Sequence, residues 1–158
     1  MDKKEKKRRR WRRDFRKKYE QKICSVLEAA TGVPAEGLCV YIANMAQRLS
    51  EGRLKIKEGV VVHDDLGPNE PPLVCSHCWN ILDGRRFDLS PWGNKPHVKY
   101  FTANDGQEYE FYQSQTPAFG QVPEGFLDSD VDQFTELLEH SMAGRQIVTQ
   151  HGVVGSDI

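Results

Sequence analysis

One dipeptide constrains this chain more than any other. Asp83-Gly84 stands between two strand-like runs, Leu73–Leu82 and Arg85–Leu89, and reads as a two-residue hairpin turn. Such a turn sets the pairing of every residue on either side of it. Leu82 then faces Arg85, Trp79 faces Asp88, and His77 faces Ser90. Side chains alternate along a strand, so His77, Trp79, Asp88 and Ser90 are expected on one face. His77 and Asp88 become diagonal neighbours, about 7–8 Å apart between backbones, a gap their side chains can close. A carboxylate there can hold one imidazole nitrogen and fix the tautomer.

Helical patterns flank this hairpin. Residues 1–30 read as one long helix, with Trp11, Phe15, Tyr19 and Ile23 recurring every fourth residue; Thr31, Gly32 and Pro34 end it. A second helix is expected over Leu38–Leu49, with Leu38, Ile42, Met45 and Leu49 as its apolar stripe. Leu54–His63, with its Val60-Val61-Val62 run, is expected to be a strand. His97–Thr102 and Gln107–Gln113 read as a further hairpin around Asn104-Asp105-Gly106, and Ser114–Gly125 as irregular. A third helix is expected over Ser129–Met142, capped by Ser129 and stopped at Gly144, with a short strand near Ile147–Val148. Helices, then strands, then a helix imply an α+β fold with an antiparallel sheet.

Charge is divided unevenly along the chain. The net charge is −1, but residues 1–22 hold thirteen Lys or Arg against four Asp or Glu, a balance of +9. The remainder holds nine against nineteen, a balance of −10. This suggests a basic helical arm at 1–22, an acidic domain at 23–145 and a C-terminal tail at 146–158. The arm has three readings: nucleic-acid phosphates, an anionic membrane surface, or a solvated helix extension; an acidic partner or the acidic body itself would also attract it. A helix docked at its C-terminal end with a frayed basic start is expected. No run of about 18 apolar residues occurs, so no transmembrane helix is expected. No apolar stretch follows the basic start, which argues against a secretory signal peptide and for a cytoplasmic protein. Cysteines there are free, metal-bound or catalytic.

Cys39 falls in the first turn of the second predicted helix, after Pro34-Ala35-Glu36-Gly37. The positive end of a helix favours a thiolate over a thiol. Gly37 leaves room for another chain or a substrate. Docked on the sheet, Cys39 would meet His77 and complete the nucleophile, base and orienter logic of a thiol enzyme.

At these residues the chain resembles a known family. Gly37-Leu38-Cys39 opening a helix, a strand with Ser76-His77-Cys78-Trp79, and the segment from Asp83 to Ser90 are similar to the transglutaminase-like branch of papain-fold cysteine enzymes, its small bacterial members above all. The resemblance covers residues 37–91. It implies a papain-like core, with Cys39 as nucleophile, His77 as general base and acid, and Asp88 as orienter. The implied activity is amide hydrolysis or acyl transfer on a protein or peptide through a thioester, with no cofactor. Beyond the Cys39 N–H, Gln21 or Asn44 is a guess for an oxyanion donor.

Other readings compete. Cys75-Ser76-His77-Cys78 invites zinc, but a structural site needs a second pair, and Cys75 and Cys78 point to opposite faces of a strand. A redox pair normally opens a helix, which this one does not. Cys39 alone could be a small buried hydrophobe, His77 a hydrogen-bonded core residue, and Asp88 a turn residue or an Arg partner. Trp79 reads as core, and Trp92 has a weak claim to function. His63, His97, His140 and His151 read as surface or structural residues. The alternative function is a non-enzymatic binding protein that contacts nucleic acid or an acidic partner through its basic arm.

Overall fold

The Asp83-Gly84 turn forms as the sequence requires. Both residues have positive φ, 51° and 81°, the left-handed pair that a two-residue turn between twisted strands needs. In the computed structural model, which describes residues 2–64, 66–116, 128–149 and 151–154, this turn joins β2 (Leu73–Leu82) to β3 (Arg85–Phe87). Leu82 pairs with Arg85 and Asn80 with Phe87, the register read from the turn. The pairing then stops two residues short of the expected Leu89. Trp79–Asp88 and His77–Ser90 are therefore not ladder pairs. Pro91 opens a 3₁₀ turn over Pro91–Asn94, and the Gly93 N–H returns to the Ser90 carbonyl at 2.9 Å. A Cβ on Gly93 would collide with the Asp88 carbonyl oxygen, so this tight return over Asp88 needs glycine.

β1 (Lys55–His63) pairs antiparallel with β2 on one side and with β4 (Val98–Phe101) on the other. The sheet order is β3-β2-β1-β4. Arg86 of one edge strand lies 3.8 Å over the ring of Tyr100 on the opposite edge strand. Strands stand about 4.8 Å apart, so this contact requires a sheet curled toward that face. Gly59 in β1 permits it: a Cβ there would strike the Phe101 carbonyl oxygen and come within 2.7 Å of the Trp79 ring.

The second expected hairpin is not formed. Gln107–Gln113 is a helix, α3, and β4 pairs with β1 instead. The cause is local. Thr102 accepts from the Asn104 N–H at 3.3 Å, and the Asp105 carboxylate accepts from the Thr102 N–H at 2.7 Å, a capping arrangement that starts helical turns. Glu108 and Glu110 then favour the positive end of α3. The Tyr109-x-Phe111 alternation is that of an exposed helix, with Tyr112 packed on Phe101 at 5.0 Å.

The helices carry the core. α1 (Lys3–Thr31) starts at Asp2, whose side chain accepts from the Glu5 N–H at 2.8 Å, and ends at Gly32 with φ 72°. It runs unbroken through residue 22. Its basic start is not frayed, contrary to expectation. Arg8 reaches Asp83 at 3.1 Å, and Arg85 reaches back to Glu5 at 2.9 Å, so the hairpin holds the helix start. Trp11 stacks on Phe15, which meets Phe87 edge-on at 5.9 Å. α2 (Cys39–Leu49) follows a 3₁₀ turn at Ala35–Gly37. α4 (Asp128–Met142) begins one residue before the expected Ser129 cap. Ile23, Leu27, Ile42, Met45, Leu82, Phe87, Leu89, Val131 and Leu138 form one buried cluster between these helices and the sheet. A two-stranded ribbon, β5 (Ile147–Thr149) and β6 (Gly152–Val154), follows. The expected irregular segment Ser114–Gly125 lies beyond residue 116 outside the described residues. The molecule is α+β, and no helix among the described residues is long and apolar enough to cross a membrane.

Candidate active site

Burying a histidine and an aspartate costs free energy unless each is answered by a partner. Here His77 and Asp88 answer each other. His77 Nε2 stands 2.7 Å from Asp88 Oδ2, and both residues are buried. They meet although β3 has already ended, because the chain from Phe87 continues beside β2 before turning at Pro91.

Asp88 has two further donors. Its Oδ1 accepts from the Ser90 N–H at 2.9 Å, and its Oδ2 accepts from the Tyr100 hydroxyl at 2.6 Å. Burial pushes the Asp88 carboxyl up. The His77 hydrogen bond and charge, with Tyr100 and Ser90, outweigh it and hold the group below its ordinary 3.8. Burial and the Asp88 carboxylate drive the Tyr100 phenol well above its usual range, so it remains a donor.

Burial likewise pushes His77 down. The Asp88 hydrogen bond, the Cys39 thiol and the Asp88 charge reverse this and lift it to about 9. A ring with that proton affinity is an imidazolium at neutral pH. Its Nδ1 is buried with no partner in bonding geometry among the described residues. Nε2 is engaged by Asp88, so Nδ1 is the nitrogen left to exchange a proton with Cys39. The Cys39 thiol is near enough to raise the ring's proton affinity, although nothing around Nδ1 meets hydrogen-bond geometry.

Aromatic rings fix the imidazole. Trp79 stacks on it at 5.7 Å and 20°, Trp92 leans on it at 6.3 Å, and Tyr100 meets it edge-on at 5.9 Å. Ser90 Oγ lies 3.4 Å from Nε2. The four residues expected to share a face, His77, Trp79, Asp88 and Ser90, are thus grouped around one ring. α2 is tied to the sheet one turn beyond Cys39, where buried Asn80 donates from Nδ2 to the Ala43 carbonyl at 3.0 Å. The first N–H groups of a helix have no intrahelical acceptor, and that of Cys39, the first residue of α2, is one of them.

The remaining cysteines differ from Cys39 in setting. Burial, with Glu28 next, pushes Cys24 up to about 11; burial, with Cys39 next, pushes Cys78 up to about 12 and raises Cys75 as well. Among the described residues no group of three or more His, Cys, Asp or Glu is arranged to hold a metal ion. Asn44 donates from Nδ2 to Val40 of its own helix at 2.8 Å. Gln21 lines a groove of about 550 Å³ between α1 and residues 89–94, shared with Cys24, Leu89 and Pro91.

Sequence reasoning brought Cys39, His77 and Asp88 together and missed Tyr100 and Asn80. Tyr100 gave no local signal, since only the β1–β4 pairing carries it to Asp88. Gly59 was the available hint, a glycine opening a β-branched run where another backbone must approach. No known family, curated protein or solved structure matches this chain.

Proposed function

We propose that this chain is a cysteine-dependent amide hydrolase or acyl transferase, built on a papain-like core of the transglutaminase-like kind. One observation carries the reading: His77 is held by Asp88 through one ring nitrogen and offers the other on the side of the Cys39 thiol. The Cys39 thiol's proton rests on His77 Nδ1, as the protonated ring implies, and the Cys39 sulfur attacks the carbonyl carbon of a peptide or side-chain amide. The tetrahedral oxyanion forms beside the start of α2, where the Cys39 N–H and the helix dipole favour negative charge. His77 returns the proton to the leaving nitrogen as the C–N bond breaks, which leaves a thioester on Cys39. Water, or an amine in a transferase, then gives its proton to His77 and attacks the thioester carbon. The C–S bond breaks, and the Cys39 sulfur is released beside the protonated His77, as at the start. Asp88 stays ionised and orients the ring throughout. Water is the simpler acceptor, since it needs no second binding site. The acidic balance of the chain beyond residue 22 suits a neutral or basic peptide.

Alkylation tests this directly. Iodoacetamide labelling at pH 6, with each cysteine resolved by peptide mass, should modify Cys39 faster than free cysteine. Cys24 and Cys78, pushed up by burial, should stay unmodified. His77→Ala should remove the Cys39 advantage. If Cys39 reacts no faster than the free amino acid at pH 6, the activated nucleophile is lost and the reading with it.

A further inference from the structure

α1 has two faces of opposite character. Trp11, Phe15, Tyr19 and Ile23 pack on the core and on Phe87. Lys3, Lys6, Arg10, Arg13 and Lys17 are exposed. At about 100° per residue these five fall within roughly 80° of one another, on the far side of the helix from the aromatic stripe. They form a straight ridge about 21 Å long at 1.5 Å per residue. Among the described residues, Lys3, Lys6, Arg10 and Lys17 make no ion pair, and Arg13 meets only exposed Asp14, at 3.7 Å.

We propose that this ridge docks on the phosphate backbone of double-stranded nucleic acid without reading its sequence. The fold decides between the possible partners. Binding in a membrane surface needs a free apolar face, and the aromatic face of α1 is already packed on the core. A protein partner is held by an apolar or aromatic centre, where lysine is depleted, and the ridge offers only cations. A duplex carries one charge per about 1.7 Å of axis, so 21 Å presents about a dozen phosphates to the five side chains. The acidic balance of the remaining chain repels the same duplex and confines contact to the ridge.

The test is fluorescence anisotropy of the full chain with a labelled 24-base-pair DNA of arbitrary sequence, in increasing potassium chloride. Five phosphate contacts predict a slope of log K against log salt of about −4.5, or about 500-fold weaker binding at 200 mM than at 50 mM. The triple variant Lys6→Gln, Arg10→Gln, Arg13→Gln leaves two contacts and predicts about a tenfold change over the same range. Its circular-dichroism melt should match the parent, since all three side chains are exposed. Cys39→Ala should bind like the parent, which keeps this result independent of the proposed enzyme chemistry. No binding at 50 mM salt with protein at tens of micromolar would overturn the proposal. So would an unchanged slope in the triple variant, tighter binding to phosphatidylserine vesicles than to the duplex, or a low-salt dimer of the chain that the duplex fails to displace.

Discussion

Two regions of this molecule concentrate charge, and they do so in opposite ways. Around His77 the charges are few and buried, and the carboxylate is fully answered: Asp88 receives His77, Tyr100 and Ser90, all within 3.0 Å. Along the first half of α1 the charges are many and mostly exposed; apart from the close pairs that Arg8 and Glu5 make with each other and with the hairpin, they pair loosely, as in Arg9–Glu5 and Arg13–Asp14, both at 3.7 Å. Water screens the second set and not the first. Removing one charge should therefore matter greatly in the first region and little in the second. Function follows the same division: the buried set can shift a pKa by direct contact, and the exposed set can act only by its sum.

The largest effect tests the buried side. Asp88→Ala leaves His77 buried with its charge unanswered and should cost about 3–5 kcal/mol in urea denaturation. A loss below 1 kcal/mol would place the pair in a far wetter setting than its burial indicates.

The pH dependence of stability comes next. His77 is lifted from 6.5 to about 9, so its contribution is complete below pH 6.5 and is lost as pH rises through 9. Asp88 is lowered from 3.8, so its contribution is complete above that value and is lost as pH falls through the folded one. Melting temperature should therefore have a plateau between about pH 4 and 6.5 and a decline toward pH 9. Asp88→Asn should abolish the alkaline decline. Its persistence in that variant would assign the decline to another group.

Tyr100→Phe sharpens the comparison further. It keeps the ring against His77 and Trp79 and removes one donor from an ionised carboxylate, at a cost of about 1.5–3 kcal/mol. With less of its charge taken up by the phenol, Asp88 should hold the His77 proton more tightly. The His77 midpoint, followed by imidazole NMR, should rise; a fall would mean that the hydroxyl does not act through Asp88.

The smallest effect lies on α1. Arg8→Ala breaks contacts to Asp83 and Glu5 that are one-fifth to nearly one-half exposed, and should cost only about 0.2–1 kcal/mol. An Arg8 variant as damaging as Asp88→Ala would erase the distinction between the two regions.

The sequence made legible what neighbouring residues decide. Asp83-Gly84 announces its own geometry, so the β2–β3 register and the approach of His77 to Asp88 could be read without coordinates. The stripe from Trp11 to Ile23 did the same for α1. What distant residues decide stayed hidden. The early end of β3 depends on Gly93 fitting over Asp88. β4 finds β1 across the chain rather than its neighbour in sequence, and the Thr102–Asp105 cap turns an apparent strand into α3. Tyr100 belongs to the site only through that long-range pairing.

α1 is also a mechanical element. Its twenty-nine residues make a rod about 43 Å long. The cationic ridge runs from Lys3 to Lys17 on one face, and within that span Trp11 and Phe15 rest on Phe87 from the opposite face. Phe87 is one peptide bond from Asp88. Because α1 is unbroken, a load on the ridge passes through the helix to Phe87, next to the carboxylate that holds His77.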